Sequence, residues 1–194
     1  MNDDPYWNHN THYHRWLVDR MPASAGTALD VGCGDGLLAT KLARRCDSVL
    51  GIDVDAEVLT RTIAAPNITY ERADFRDLPG SFDFVTAVAI LHHVPLREGL
   101  AALRRLVAPG GTLAILGLWK MSLRGDPLYL PLIPAIRLVD LVHPAKADPA
   151  PMRDPQDTLH EIRCAAAEIL PGARLRRRLM WRYTLIWRNE ASDA

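Results

Sequence analysis

The order of apolar segments predicts an α/β fold with a doubly wound, mostly parallel sheet of seven strands. Five compact apolar segments, most of them separated by stretches with helical spacing, predict parallel strands joined by right-handed crossovers. Two further segments near the C-terminus follow each other without a helix between them, which predicts an antiparallel hairpin. Together these features indicate a Rossmann-like architecture.

The N-terminal half contains three predicted strands and three predicted helices. The strands are compact apolar segments, at residues 27–31, 48–53 and 68–73. The helices carry apolar residues at helical spacing, at residues 11–21, 37–45 and 56–65. Pro22 and Pro66 end the first and the last of these helices, because proline cannot continue a helix.

The C-terminal half supplies the remaining elements. Residues 82–89 are almost continuously apolar and predict a fourth strand that is buried on both faces. A helix is predicted at 97–107, and Pro109–Gly111 is expected to end it before a fifth strand at 112–118. The last elements are one helix and two hairpin strands, at residues 157–170, 173–182 and 183–188.

Residues 120–156 interrupt this alternation with seven prolines and a long apolar stretch. Because they follow the fifth strand, they are expected to cover the pocket beside the end of that strand. Four apolar side chains are candidates to line a substrate site, although packing against the sheet explains them equally well; they are Tyr129, Leu130, Leu132 and Ile133.

Composition and charge exclude several classes of protein. Lys plus Arg (23) equals Asp plus Glu (23), so no global field attracts nucleic acid or an anionic membrane. No apolar run approaches the roughly 20 residues that cross a bilayer, and the polar N-terminus does not resemble a secretory signal. Three cysteines without a Cys-x-x-Cys spacing favour a cytoplasmic protein rather than a disulfide or zinc framework.

A glycine-rich turn follows the first predicted strand, in the segment Leu29–Gly36. Ligands of doubly wound sheets bind at the carboxyl ends of the strands, where glycine allows a close backbone approach. Asp53 ends the second strand, 21 residues after Gly32, where a carboxylate accepts both ribose hydroxyls. Asp74 beside Phe75 is placed to accept from an adenine amino group. Taken singly, such aspartates also serve as ordinary helix caps.

Five motifs in this order resemble the class I S-adenosylmethionine-dependent methyltransferases. They are Leu29–Gly36, Gly51–Asp55, Ala73–Pro79, Phe82–Val85 and Val107–Thr112. The resemblance implies that S-adenosylmethionine is the cofactor and that this is a methyltransferase of the small-molecule type. It also implies one methyltransferase domain over residues 1–194, with 1–22 as a helical cover and 119–156 as an insertion over the substrate pocket.

The resemblance assigns residues to each part of the cofactor. Asp30, Gly32 and Gly34 would line the methionine part, Asp53 the ribose, and Asp74 with Phe75 the adenine. Further cofactor contacts are expected from the same turns and from the N-terminal helix that folds over the cofactor in related sequences; these residues are Cys33, Val54, Ala89, Tyr13 and His14.

Two other functions use the same fold. A nicotinamide-dependent oxidoreductase prefers Gly-x-Gly-x-x-Gly, whereas this turn is Gly-x-Gly-x-Gly with Asp30 before it. An acid at that place suits the amino group of a cationic cofactor better than a diphosphate. A methyltransferase-like module that holds the cofactor without using it is the second alternative.

His92 and His93 follow the fourth strand on the side where the methyl acceptor is expected. A neutral imidazole can take a proton from a hydroxyl or amine near pH 7, so one of them is predicted to be the general base. The alternative is that they only close the pocket through hydrogen bonds. The acceptor is predicted to be an oxygen, nitrogen or carbon atom of a small, partly apolar metabolite.

Two clusters of basic residues do not predict further sites. His12 and His14 cannot share a helix face at their spacing, and no cysteine or carboxylate pattern near His9 completes a metal shell, so no metal is predicted. Six arginines fall between Arg174 and Arg188. Four of them alternate with apolar residues and predict the solvent-exposed side of an edge hairpin rather than a nucleic-acid site; they are Arg174, Arg176, Arg178 and Arg182.

Overall fold

A computed structural model describes residues 4–121 and 153–190, and within them the chain forms one seven-stranded sheet. The strands are β1 (Thr27–Val31), β2 (Ser48–Asp53), β3 (Ile68–Arg72), β4 (Phe82–Val88), β5 (Val107–Gly117), β6 (Arg174–Arg177) and β7 (Tyr183–Arg188). Their order is β3-β2-β1-β4-β5-β7-β6. Strands β1 to β5 pair in parallel, whereas β7 pairs antiparallel with β5 and β6. The predicted Rossmann-like sheet with an antiparallel C-terminal hairpin is confirmed.

The helices lie where the sequence predicts them but are shorter. They are α1 (His14–Val18), α2 (Leu37–Leu42), α3 (Ala56–Leu59), α4 (Leu96–Arg105) and α5 (Leu159–Ile169), with 3-10 turns at Thr11–Tyr13 and Leu91–His93. The largest difference is α3, which was predicted to reach residue 65. The hydroxyls of Thr60 and Thr62 donate to the carbonyls of Glu57 (2.7 Å) and Leu59 (2.9 Å). Such local bonds compete with the helical pattern and favour a turn.

The start of β5 also differs from the prediction. The strand begins at Val107, five residues earlier than predicted, because Phe82 pairs with Val107 while Phe84 already pairs with Thr112. The Pro-Gly-Gly segment is therefore a bulge within the strand rather than the end of the helix before it. Backbone bonds join this bulge to Asn189, from Gly110 N to Asn189 O (2.7 Å) and from Asn189 N to Gly111 O (2.9 Å).

The sheet is covered on both faces. On one face Val85 and Ala87 of β4 pack in a cluster with Leu100 and Leu103 of α4. On the other face Phe84 of the same strand packs in a second cluster with residues of α1 and α2. This alternation explains why β4 is apolar along its length.

The predicted insertion falls mostly outside the described residues, and so do Tyr129, Leu130, Leu132 and Ile133. In the part of the chain that the structure describes, no helix is both long and apolar enough to span a membrane.

Candidate active site

The glycine turn after β1 lies at the carboxyl edge of the sheet, between β2 and β4. Gly32, Gly34 and Gly36 all have positive φ angles, at 67°, 56° and 78°. The amides of Gly32 and Cys33 donate to the carbonyl of Ile52 at 2.8 and 2.9 Å and tie the turn to β2. A Cβ added to Gly32 would lie 2.6 Å from Cγ1 of Ile90, whereas one at Gly34 would meet no atom within 4 Å. The turn is therefore packed at its first glycine and open at its second.

Asp30, the last but one residue of β1, carries an unused acceptor. Its side chain is buried (1% exposed), and one oxygen accepts from the hydroxyl of Thr86 at 2.9 Å. The other oxygen, Oδ2, accepts no well-oriented hydrogen bond from the described residues, although the amide of Ala39 approaches the carboxylate and, like the hydroxyl of Thr86, favours its ionised form. Burial raises the pKa of Asp30 to about 7, and repulsion from Asp53 and Asp35 adds to this rise. A positively charged donor placed here would stabilise the carboxylate.

Two more carboxylates surround the turn. Asp53 accepts from the amide of Gly34 (3.1 Å) and from that of Asp55 (3.0 Å). Asp35 accepts from the amide of Leu37 (3.1 Å) and from the hydroxyl of Tyr6 (2.7 Å). In residues 4–121 and 153–190, neither they nor Asp30 pair with a lysine or arginine. The glycine turn is thus an acidic region.

Some side chains that are predicted to contact the cofactor are already bonded to other residues or buried, so they are not free to contact a ligand. Asp74 binds the guanidinium of Arg76, at 2.6 Å between Oδ2 and Nη2, and these hydrogen bonds lower the pKa of Asp74. Phe75 is buried in the core, so only its main chain can face a ligand. The side chain of Val54, in contrast, is 62% exposed next to Asp53. Cys33 is buried beneath the turn, and burial raises the pKa of its thiol.

The N-terminal segment crosses the carboxyl edge. The hydroxyl of buried Tyr13 donates to the carbonyl of Leu179 at 3.1 Å. Nδ1 of buried His14 accepts from Nζ of Lys41 at 3.2 Å, because an ammonium can only donate. Burial, followed by the charge of Lys41, lowers the pKa of His14 to about 3, so this histidine is neutral at pH 7.

The two candidate bases lie in the 3-10 turn after β4. The turn follows Ala89, whose positive φ of 55° is unusual for a residue with a side chain. The rings of His92 and His93 are 4.0 Å apart between centroids. His92 is half-buried, and its Nδ1 is buried without a partner among the described residues. Burial, followed by repulsion from His93 when that ring is protonated and from Arg182 and Arg153, lowers the pKa of His92 to about 4.

His93 is the more exposed of the pair, and its carbonyl accepts from Arg153 at 3.2 Å. Burial and the charge of Arg153 lower its pKa below the usual value. Both imidazoles are therefore neutral near pH 7, and His92 is the one in closer contact with the protein interior.

The burial of Arg182 differs from the prediction. Alternation predicts that Arg182 lies on the solvent-exposed side of the hairpin. Arg174 and Arg176 on β6 are exposed as predicted, whereas Arg182 is only 9% exposed. The reason is the connection before β7, where Met180 and Trp181 have φ angles of 56° and 57° and break the alternation. No signal in the sequence marks this reversal.

The cluster of N-terminal histidines packs against an aromatic ring. His9 and His12 lie edge-on to Trp7, with ring centroids 5.6 and 6.5 Å away. Among the described residues, no group of three or more His, Cys, Asp or Glu side chains is arranged to hold a metal ion.

Comparison with known proteins gives consistent matches. Residues 29–115 match the family model described as a methyltransferase domain. The chain is 41% identical over 194 residues to an uncharacterised methyltransferase of Mycobacterium tuberculosis, covering 95% of this chain and 98% of that protein. It is 37% identical over 107 residues to the ubiquinone biosynthesis O-methyltransferase of Thiobacillus denitrificans, covering 50% of this chain and 46% of that protein.

Two solved structures share the fold at low identity. The N-methyltransferase NodS of Bradyrhizobium japonicum has a TM-score of 0.63 and 18% identity, with 98% of this chain and 99% of that chain covered. An amino pentose methyltransferase of Micromonospora echinaspora with bound S-adenosylmethionine has a TM-score of 0.66 and 17% identity, with 92% of this chain and 90% of that chain covered.

Proposed function

We propose the following function for this chain, which belongs to the class I methyltransferase family. It transfers a methyl group from S-adenosylmethionine to an oxygen, nitrogen or carbon atom of a small, partly apolar molecule. The transfer takes place at the carboxyl edge of the sheet, between the glycine turn after β1 and the histidine turn after β4.

The observation that carries this proposal is the acidic character of the glycine turn. S-adenosylmethionine has an ammonium and a sulfonium, whereas a nicotinamide dinucleotide has an anionic diphosphate. Asp30 has a buried oxygen without a partner, and Asp35 and Asp53 lie close enough to raise its pKa. Such a site attracts a cation and repels a diphosphate, so the residues present fit S-adenosylmethionine and not the dinucleotide.

Each part of the cofactor has candidate partners. Asp30 would accept from the methionine ammonium beside the open face of Gly34. Asp53 would accept from the ribose hydroxyls, because a carboxylate has about four acceptor positions and the backbone uses two of them. Val54 would cover the adenine together with the main chain of Phe75, and Asp74 would accept from its amino group.

The N-terminal segment would close this site from above. Tyr6 already reaches Asp35, and Tyr13 is bound to the hairpin, so the segment is held at both ends. His14 would act on the cofactor by positioning this segment through Lys41, since its Nδ1 is occupied. We propose that residues 1–22 form the cover and residues 119–156 the insertion over the acceptor, within one domain.

His92 is proposed as the general base. The cofactor supplies a methyl group that is already activated on a sulfonium. His92 is neutral at pH 7 and can take the proton of an acceptor hydroxyl or amine while the new bond to carbon forms. Sulfur would keep the electron pair of its bond to the methyl carbon, so the cofactor would leave as a neutral thioether, S-adenosylhomocysteine. Ala89 would hold the backbone of this turn close to the reacting atoms.

Isothermal titration calorimetry with S-adenosylmethionine, S-adenosylhomocysteine and NAD tests the proposal. Both adenosyl compounds are expected to bind the wild-type protein, whereas NAD is not. Binding of NAD alone would overturn the proposal. Incubation with labelled S-adenosylmethionine and extract of the source organism, followed by mass spectrometry of the small molecules that gain label, then identifies the acceptor.

A further inference from the structure

Arg182 is a buried cation at the acceptor end of the site, which is the end formed by the turn that contains His92 and His93. It precedes β7, and Tyr183, the next residue, pairs with Gly117 at the carboxyl end of β5. Because β7 runs antiparallel to β5, the first residues of β7 lie at the edge where ligands bind. Arg182 is 9% exposed, and burial lowers its pKa to about 10.

The guanidinium has no carboxylate partner in the described residues. Its Nε donates to Oδ1 of Asn10 at 2.9 Å, and Nη1 donates to the carbonyl of Met180 at 3.2 Å. Both acceptors are neutral. A guanidinium has five N–H donors, so three of them, one on Nη1 and both on Nη2, have no acceptor among the described residues.

Arg182 also acts on His92. Its charge is one of the causes that lower the pKa of His92, together with burial and the charge of Arg153. The phenol of Tyr13 also interacts with Arg182, but it is neutral at pH 7 and burial raises its pKa further. The acceptor end therefore carries a buried positive charge that acts on His92, and Nδ1 of His92 has no partner among the described residues.

A buried charge is costly unless an opposite charge and hydrogen bonds compensate it. We propose that the methyl acceptor carries a carboxylate and that Arg182 binds this carboxylate next to His92. This inference rests on the proposed function and deepens it by naming the class of acceptor. The unused N–H groups of Arg182 match the two oxygens of a carboxylate, which is the geometry that guanidinium groups favour.

Charge selects a carboxylate over a phosphate. A carboxylate has one negative charge, which a single guanidinium compensates, whereas a phosphate monoester has nearly two at pH 7. The carboxylates around the glycine turn would also repel an anion, so a carboxylate in the site is expected to remain at the Arg182 end. The acceptor would thus be held by its acid group, with its reacting atom directed towards the cofactor.

Calorimetry on protein saturated with S-adenosylhomocysteine tests this inference, with octanoate, octanamide and octyl phosphate as probes. Wild-type protein should bind octanoate about tenfold or more tightly than octanamide, because hydrogen bonds between charged groups are stronger than those to a neutral amide. Arg182→Gln should abolish the preference. Arg176→Gln, an exposed arginine of the same hairpin, should retain it. Equal binding of octanoate and octanamide, or tighter binding of octyl phosphate, would overturn the inference.

The carboxylate of the cofactor itself is the rival partner, and a second titration separates the two. Arg182→Gln should bind S-adenosylhomocysteine within about twofold of the wild-type protein. If its affinity falls about tenfold while that for 5′-methylthioadenosine, which lacks the amino acid, is unchanged, Arg182 binds the cofactor and the inference is wrong. Absence of S-adenosylhomocysteine binding to the wild-type protein would instead contradict the proposed function.

NMR titration of His92 gives a readout that does not depend on turnover or on the stability of a variant. Adding octanoate to the wild-type complex should raise the pKa of His92 towards its ordinary value, because the anion compensates the nearby guanidinium. Octanamide should leave that pKa unchanged. An identical response to both probes would contradict binding of the carboxylate at Arg182.

Discussion

The glycine turn and the histidine turn lie along the same edge of the sheet but have opposite electrostatic character. Around the glycine turn, Asp30 and its neighbouring carboxylates leave a buried acceptor oxygen without a partner. Around the histidine turn, the charge of the buried cation Arg182 lowers the pKa of His92. The contrast teaches that one sheet edge can bring a cationic cofactor and an anionic acceptor together, with each held at the end of opposite charge.

The N-terminal segment joins the two ends. Tyr6 donates to Asp35 near the glycine turn, and Asn10 accepts from Arg182 near the histidine turn. Tyr6 and Asn10, whose side chains reach the acidic and the basic region, are thus only four positions apart in the sequence. Variants at either end test whether the two regions have separate tasks.

The largest expected effect is on the glycine turn itself. Gly32→Ala places a Cβ against Ile90 at a positive φ, and we expect it to lower the free energy of unfolding by about 3 kcal/mol. Gly34→Ala is the matched control, because its φ is also positive but no atom lies within 4 Å of the new Cβ. About 1 kcal/mol is expected there. Urea unfolding measures both, and equal losses would show that packing against Ile90 does not matter.

At the histidine turn, His92→Asn should reduce turnover about 100-fold, as is typical when a general base is removed. Affinity for S-adenosylhomocysteine should stay within about twofold of wild type, because His92 is assigned to the acceptor end. His93→Asn is the control, since its ring is more exposed, and should reduce turnover far less. Transfer of label to the acceptor fraction measures the rates. Full activity of both variants would rule out a histidine base.

Asp53→Asn should have the opposite pattern to His92→Asn. We expect affinity for S-adenosylmethionine to fall about tenfold, because a hydrogen bond to a charged group is replaced by one to a neutral amide. Asp47→Asn is a suitable control, as Asp47 is exposed beside Gly26 at the other edge of the sheet. Calorimetry measures both affinities. An unchanged affinity in Asp53→Asn would remove this residue from the cofactor site.

The smallest expected effect concerns acid stability of the N-terminal segment. The folded pKa of His14 is about 3, so between pH 6.5 and 3 only the unfolded chain binds this proton and stability falls as pH falls. Asp30, with a pKa of about 7, acts in the opposite direction, because the folded chain takes up its proton first. In His14→Gln, the contribution of Asp30 to the pH dependence of stability remains, whereas that of His14 is removed.

The stability lost between pH 7 and pH 5.5 should therefore be smaller in His14→Gln, by about 1 kcal/mol. Thermal unfolding of both proteins at the two pH values measures this difference. If the variant loses as much stability as the wild type, His14 is not buried in its neutral form.

The local sequence was sufficient to predict the bounds of strands in the centre of the sheet. The bounds predicted for β1 and β2 match the structure residue for residue, because short apolar segments bounded by glycine or polar residues have few alternatives. The positions of the glycine turn and of His92 follow from these strands. The helix at residues 56–65 was predicted too long, because threonine hydroxyls bind the backbone and end it at Leu59.

The sequence alone determined where the strands occur along the chain and which residues follow each of them. Both depend on short-range patterns of apolar and glycine residues. Only the tertiary structure decided that Arg182 is buried. Two residues with positive φ redirect the chain before it, and its partner Asn10 lies 172 positions away. Burial, and the charge imbalance that burial creates, depends on which distant segments pack together, and no local pattern contains that information.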